Sequence, residues 1–281
     1  MHALPRSAHD DAAVLADWLA RYRRVFVLTG AGCSTGSGIP DYRDADGGWK
    51  RRPPITYQAF VGDPLARARY WARSFVGWPG FAAARPNAAH HALAELERRG
   101  RLSLLLTQNV DRLHQRAGSV QAIDLHGRLD EVACLDCSGR EPRDAVQARL
   151  AADNPDWQGL HARRAPDGDA DLDGVDFARF RAPNCSRCGG LLKPDVVFFG
   201  ENVPRARVAA AQAALDASDA MLVVGSSLMV YSGFRFARAA HAAGLPLAIL
   251  TRGVTRADAL ASLKLHAECG ATLEDALARL D

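Results

Sequence analysis

No apolar run in this 281-residue sequence approaches the roughly 20 residues that a membrane-spanning helix needs. Long blocks of lysine or arginine are also absent. With a net charge of only +3, nothing marks nucleic acid as a primary ligand. The opening residues, MHALPRSAHDDAAV, hold no apolar core and carry acids early, which argues against a signal or transit peptide. The expected compartment is a bacterial-type cytoplasm. The cysteines do not form the framework of a secreted disulfide scaffold, since four of the six fall into two C-x-x-C pairs. What remains is an ordinary globular composition, long enough for one large domain or two smaller ones.

A further absence bears on chemistry. The stretch TGAGCSTGSGIPDYRD, residues 29–44, follows the apolar run Val25-Phe26-Val27-Leu28. That is how a strand feeds a phosphate-cradling loop. A dinucleotide fingerprint reads G-x-G-x-x-G, with an acid about 20 residues further on. Gly30 and Gly32 fit, but Thr35 stands where the third glycine belongs, and no acid follows at that distance. Alone, the stretch reads as a defective fingerprint.

Other apolar runs of strand length end in similar polar loops. Leu102–Leu106 ends at Thr107-Gln108-Asn109, and Ala122–Leu125 at His126-Gly127. Met221–Val224 ends at Gly225-Ser226-Ser227, and Leu247–Leu250 at Thr251-Arg252-Gly253. Helical patterns lie between them, among them Ala88–Arg99 and Pro204–Ala217, the latter with a proline near its first turn. This alternation predicts an α/β fold with a parallel sheet. Ligands bind such sheets beyond the carboxyl ends of the strands, so the polar loops should converge on one site.

Residues 45–87, rich in Trp, Arg and Pro, and residues 130–194 break the rhythm. They read as insertions that build a smaller module. The expected division is therefore 1–44, 88–129 and 195–281 for the nucleotide-binding domain, 45–87 for a helical module with a cofactor-binding loop, and 130–194 for a metal module. Cys134, Cys137, Cys185 and Cys188 match a tetrahedral zinc site, with Gly189-Gly190 permitting a tight knuckle. Four thiolates leave no open position, so the zinc is expected to be structural. Between the pairs, Asp169–Gly174 imitates the start of a calcium loop. Phe180 occupies the position where that loop needs Glu, so the stretch reads instead as a solvated acidic turn.

Taken together, GAGCSTGSGIPDYRD, TQNVDRLH, LHGRL, the C-x-x-C pairs, KPDVVFFGE and GSSLMV resemble the sirtuins, the NAD-dependent protein lysine deacylases, in sequence and in order. RYWARSFVGWP and the spacing of the cysteine pairs are similar to class II, the sirtuin 4 type. The resemblance implies a Rossmann-like NAD-binding domain with an inserted module made of a helical part and a zinc ribbon. NAD is then a consumed co-substrate. An acyl-lysine carbonyl attacks the ribose as nicotinamide leaves, and a general base activates a ribose hydroxyl in a later step. The products are free lysine, nicotinamide and O-acyl-ADP-ribose.

The resemblance assigns His126 as general base, with Asn109 and Asp111 as its catalytic companions. It assigns the cofactor to Gly30, Ala31, Gly32, Pro40, Asp41, Tyr42, Arg43, Gln108, Asn109, Asp111, Gly225, Ser226, Ser227, Thr251, Arg252, Gly253 and Cys269. Tyr42 and Arg43 would belong to a loop closing over the nicotinamide. An acyl-lysine peptide would add as a strand between Val197-Phe198-Phe199-Gly200 and the segment ending at Val230. Thr251 departs from the asparagine common in the family. Cys33 reads as packing, His114 as structural support, and Trp71, Phe75 and Trp78 as core. Relatives that prefer succinyl or malonyl lysine carry a Tyr-x-x-Arg pair in the helical module. Alignment on Trp71 and Pro86-Asn87 places Ser74 and Gly77 there, so weak desuccinylase activity is expected, with Arg73 as a neighbour that could substitute. Rival readings are a protein ADP-ribosyltransferase on the same fold and a non-catalytic NAD- or zinc-binding module.

Overall fold

The computed structural model describes residues 8–51, 54–160, 162–172 and 174–280. The chain begins with helix α1 (Ala8–Ala20), strand β1 (Val25–Thr29), helices α2 (Tyr57–Gly62), α3 (Pro64–Ala82) and α4 (Ala88–Arg98), and strand β2 (Leu102–Thr107). There follow helix α5 (Leu113–Arg116), strands β3 (Ala122–Asp124), β4 (Gly127–Cys134) and β5 (Arg140–Pro142), helix α6 (Arg143–Asp153), and strands β6 (Arg163–Arg164), β7 (Ala170–Asp171) and β8 (Leu192–Val196). The last part holds helix α7 (Arg205–Asp216), strand β9 (Ala220–Val224), helix α8 (Tyr231–Ala242), strands β10 (Leu247–Leu250) and β11 (Leu263–Leu265), and helix α9 (Cys269–Ala278).

Six of these strands form one parallel sheet in the order β11-β10-β9-β1-β2-β3. Val25 to Leu28 are all buried, which explains their unbroken apolar run: β1 is covered on both faces. Leu15, Leu19, Leu93, Leu96 and Leu273 from α1, α4 and α9 cover one face. Leu215, Phe236 and Ala240 from α7 and α8 cover the other. The expected parallel α/β sheet is thus present, with β1, β2, β3, β9 and β10 where the apolar runs lie and β11 added at the edge. Pro204 is the N-cap residue of α7, next to the first turn as expected. The strand order reverses between β1 and β9, which run parallel, so the switch point of the sheet falls between their carboxyl ends.

A second sheet, β5-β4-β8, is antiparallel, and β6 pairs with β7. Phe60, Tyr70, Trp71 and Phe75 from α2 and α3 share a core with Val132, Val146, Trp157, Phe180 and Leu192. The two insertions therefore bury their apolar faces against each other. Trp71 and Phe75 are core residues, as expected, and Trp78 is buried in a neighbouring cluster. Arg143 is fully buried, with its guanidinium 5.5 Å from the Trp71 ring and 5.0 Å from the Trp78 ring.

The acidic stretch is not the solvated turn its composition suggests. Asp169 accepts from Arg73 Nε at 2.8 Å, and Asp171 from Arg73 Nη2 at 3.2 Å. Arg51 also reaches Asp171, at 2.9 Å. Burial, with Asp167 alongside, pushes the Asp169 carboxyl well above the usual range.

Candidate functional site

A cavity of about 740 Å³ opens beyond the carboxyl ends of β1, β2, β9 and β10, at the switch point of the sheet. Gly30, Ala31 and Gly32 form its floor, in a turn that runs directly out of β1. Backbone contacts lock this turn to the end of β9: Gly30 N–H donates to Val224 O at 3.1 Å, and Gly32 N–H to Gly225 O at 2.8 Å. A Cβ at Gly30 would stand 2.7 Å from Ser226 Cβ, and one at Gly32 would stand 2.9 Å from Gly225 O. The glycines are thus required by loop-to-loop packing as well as by any phosphate.

Residues after β2 tie this floor to the neighbouring wall. Asn109 Nδ2 donates to Gly30 O and to Ser34 Oγ, both at 3.0 Å. Ser34 Oγ donates in turn to Asp111 Oδ2 at 2.6 Å. Burial raises the Asp111 pKa, while the bonds from Ser34 and from Leu113 N–H oppose that rise. Ser226 Oγ donates to Gln108 Oε1 at 2.6 Å.

His126 sits at the corner between β3 and β4. Gly127 makes the corner possible: its φ is +84°, and a Cβ there would lie 2.0 Å from Asp195 O. His126 Nδ1 lies 3.0 Å from Gln108 O, and Nε2 lies 2.7 Å from Ser232 Oγ. A carbonyl can only accept, so Nδ1 carries the proton and Nε2 the lone pair. Burial, reinforced by Arg207, pulls the imidazole down to about 4 against the raising effect of the Gln108 carbonyl. The ring is neutral at physiological pH.

Tyr42 and Arg43 line the cavity. Arg43 donates to Gly47 O at 2.7 Å and lies 4.1 Å over the Trp49 ring, which in turn meets Phe199 edge-on at 5.9 Å. Val197 to Gly200 and Leu228 to Val230 also border the cavity, as do Thr251, Arg252, Gly253 and Cys269.

The four paired cysteines come together. Cys134 Sγ is 3.6 Å from Cys188 Sγ, Cys137 Sγ is 3.8 Å from Cys185 Sγ, and all four lie within 4.8 Å of one another. With zinc–sulfur bonds of about 2.3 Å, a tetrahedral site has sulfur–sulfur edges of roughly 3.8 Å, so the donor set fits zinc.

The Sir2 family model matches residues 30–232. A Xanthomonas campestris protein named NAD-dependent protein deacetylase is 65% identical, over 92% of this chain and 88% of its own. The chain belongs to the Sir2 family. Another relative of the same name, from Bordetella bronchiseptica, is 61% identical over 96% of this chain and 98% of its own. The bovine mitochondrial lipoamidase sirtuin-4 is 50% identical over 89% of this chain and 81% of its own. A solved Sir2 complex with a p53 peptide and NAD+ is 31% identical, with a TM-score of 0.75, covering 94% of this chain and 96% of that one.

Of the residues that the sequence assigned to catalysis, cofactor and peptide, all but Pro40 line this cavity. Several lining residues escaped sequence reasoning, namely Ser34, Trp49, Tyr70, Asp167, Ser232 and Glu268. Ser34 adjoins the fingerprint and could have been read from it, whereas Ser232 and Asp167 lie in stretches with no pattern. In the helical module Ser74 bonds Arg143 and Gly77 packs on Gly168 and Asp169, while Tyr70 lines the cavity. Arg73, the neighbour that could substitute, already holds Asp169 and Asp171.

A second donor cluster, Cys33, His90 and His114, is buried beneath the glycine turn. His114 Nε2 lies 2.9 Å from Thr29 Oγ1, which makes it the structural support expected. His90 Nδ1 accepts from Asn87 N–H in the α4 capping box, so its Nε2 carries the proton. That leaves the trio one lone pair short of a three-donor metal site, and Cys33 is core packing, as expected.

Proposed function

We propose that this Sir2-family protein is an NAD-dependent protein lysine deacylase, releasing deacylated lysine, nicotinamide and O-acyl-ADP-ribose in the cytoplasm of a bacterium. The observation that carries the reading is the placement of His126. Its unprotonated Nε2 is held in the same cavity as the glycine turn. Simple NAD binding has no use for a buried neutral imidazole with its tautomer fixed.

The residues present fit NAD. Gly30 to Gly32 offer close backbone approach for the pyrophosphate. Asn109 and Asp111, braced by Ser34, face the region next to His126 and would hold the nicotinamide ribose. Thr251 to Gly253 and Cys269 would border the adenosine. When bound, NAD supplies an ADP-ribosyl group as the acceptor for the acyl chain. His126 Nε2 takes the proton of a ribose hydroxyl. The arm carrying Tyr42 and Arg43 excludes water from the reacting carbon. A peptide strand would be received between Val197–Gly200 and Leu228–Val230, with the acyl-lysine pointing toward Tyr70 and Phe81. Cys134, Cys137, Cys185 and Cys188 would hold a zinc ion that cross-links the ends of β4 and β8 and takes no part in the chemistry.

The test is an NAD-dependent screen of acyl-lysine peptides, reading nicotinamide release and product mass, with His126→Tyr alongside. Deacylated peptide and O-acyl-ADP-ribose, both lost in the variant, are expected. A peptide gaining the mass of ADP-ribose would point to transferase activity instead, and turnover in His126→Tyr would overturn the role given to this residue.

A further inference from the structure

The nitrogen that the proposed reaction needs is not bare. Ser232 Oγ lies 2.7 Å from His126 Nε2 and lines the same cavity. Because Nδ1 faces the Gln108 carbonyl at 3.0 Å, Nε2 is the acceptor and the serine hydroxyl the donor. Ser232 is the second residue of α8, so its position is fixed by a helix start and not by a loose loop. Gly233, next along, brings that helix close to Gln108: a Cβ there would stand 2.5 Å from Gln108 Nε2. The imidazole is therefore clamped from two sides, by the Gln108 backbone and by the α8 hydroxyl.

We propose that Ser232 is a positioning residue for His126. Its hydroxyl fixes the ring plane and keeps Nε2 unprotonated until a ribose hydroxyl is ready to give up its proton. This inference rests on His126 being the base. In the productive state the donated hydrogen bond to Nε2 is exchanged for one from the ribose hydroxyl. That hydroxyl's proton passes to Nε2, leaving an alkoxide and an imidazolium, and the Ser232 oxygen then accepts from the new Nε2–H. No proton is lost or gained in the exchange. The groups facing the ring set the direction of the effect. Gln108 O favours the charged ring, while Arg207 and the α8 N-terminus disfavour it. Ser232 donates to the neutral form and so also disfavours the charged one.

The experiment compares wild type with Ser232→Ala and Ser232→Thr as zinc-loaded full-length proteins, using an acyl peptide that the wild type accepts. Three readouts are taken: the pH profile of kcat/KM, the exchange of labelled nicotinamide into NAD, and net deacylation. Nicotinamide leaves before the base acts, so exchange should persist in Ser232→Ala while deacylation falls by about 10-fold. The acid limb should move up by about one pH unit, the worth of one lost hydrogen bond to the neutral ring. Ser232→Thr, which retains the hydroxyl, should restore the wild-type profile. Unchanged deacylation and an unmoved acid limb in Ser232→Ala would overturn the proposal even with His126→Tyr inactive. A fall of exchange and deacylation together, with no pH shift, would also overturn it, because that is the pattern of a general packing defect. Absence of NAD-dependent deacylation in wild type would instead overturn the reading beneath it.

Discussion

Gly32→Ala isolates what the glycine turn does. Gly32 has no positive φ, so the substitution adds no backbone strain of its own. Its Cβ would stand 2.9 Å from Gly225 O, 3.1 Å from Gly225 Cα and 3.3 Å from Gly225 C. All three are backbone atoms, and Gly225 is itself held by its N–H to Leu250 O at 2.9 Å, so it cannot swing away as a side chain would. Relief requires the β1 and β9 turns to part by several tenths of an ångström, which stretches the 2.8 Å bond from Gly32 N–H to Gly225 O. One weakened hydrogen bond and a modest overpacking sum to about 2–3 kcal/mol. For a chain of this size that lowers Tm by roughly 3–5 °C. Since the turn is also the proposed pyrophosphate seat, NAD affinity should fall by about 10-fold or more. Differential scanning calorimetry and titration with NAD read the two effects. Gly62→Ala is the control: nothing lies within 4 Å of its Cβ, so stability should hold or rise by up to about 1 kcal/mol. A Gly32→Ala protein that melts within a degree of wild type and binds NAD equally well would refute the interlock.

Chelation of zinc, or Cys185→Ser, should cost several kcal/mol of stability and remove activity, with calorimetry showing the loss. A zinc-free protein with full turnover and an unchanged Tm would refute a structural site. With Arg73 held by Asp169 and Asp171, and Asp167 in the cavity wall, acetyl peptides should be processed at least about 10-fold faster than matched succinyl peptides. Faster succinyl removal would show that Arg73 is free to bind the acyl carboxylate. His90 and His126 are both drawn down to about 4 by burial, from an ordinary value near 6.5. The unfolded chain therefore takes up protons that the fold refuses, and stability should drop as pH falls from about 6.5 to 4, by up to about 3 kcal/mol per histidine. Calorimetry in buffers of different ionisation enthalpy near pH 5.5 should show roughly one proton taken up per buried histidine on unfolding, and none would contradict their burial.

The sheet was legible because β1, β2, β9 and β10 are short buried runs of mostly apolar residues with a polar loop after each, while the half-buried β3 carries Asp124. His126 stood out because it follows such a run and precedes a glycine, and Gly127 proves to be the residue that turns the corner. The cysteine pairs were legible from spacing alone. The second sheet was not, since its strands carry mixed residues and borrow their core from a distant helix. Burial also hid Asp169: a run of acids looks solvated until Arg73, 96 residues away, is seen against it. The cavity contact of Tyr70 was not legible, since Tyr70 and Ser74 lie one helical turn apart on α3 and an apolar periodicity does not tell them apart.

The two walls of the cavity have separate origins, and this sets what can change independently. One wall is the large parallel sheet, where the turns after β1 and β9 touch through backbone atoms at Gly32 and Gly225. Side-chain substitution there meets main chain, and the arrangement has little freedom. The other wall belongs to the inserted module, where Tyr70, Phe81 and Asp167 reach the cavity from α3 and from the segment before β7. Tyr70 stands over a core separate from that of the sheet, whereas Phe81 packs with Ile39 and Leu113. His126 stands at the seam, fixed by the Gln108 backbone on the sheet side and by the Ser232 hydroxyl on α8. Substitutions of Tyr70 or Asp167 should accordingly change which acyl group is accepted while leaving NAD affinity near the wild-type value. A Tyr70 variant that lost NAD binding and acyl selectivity in equal measure would show that the walls are coupled.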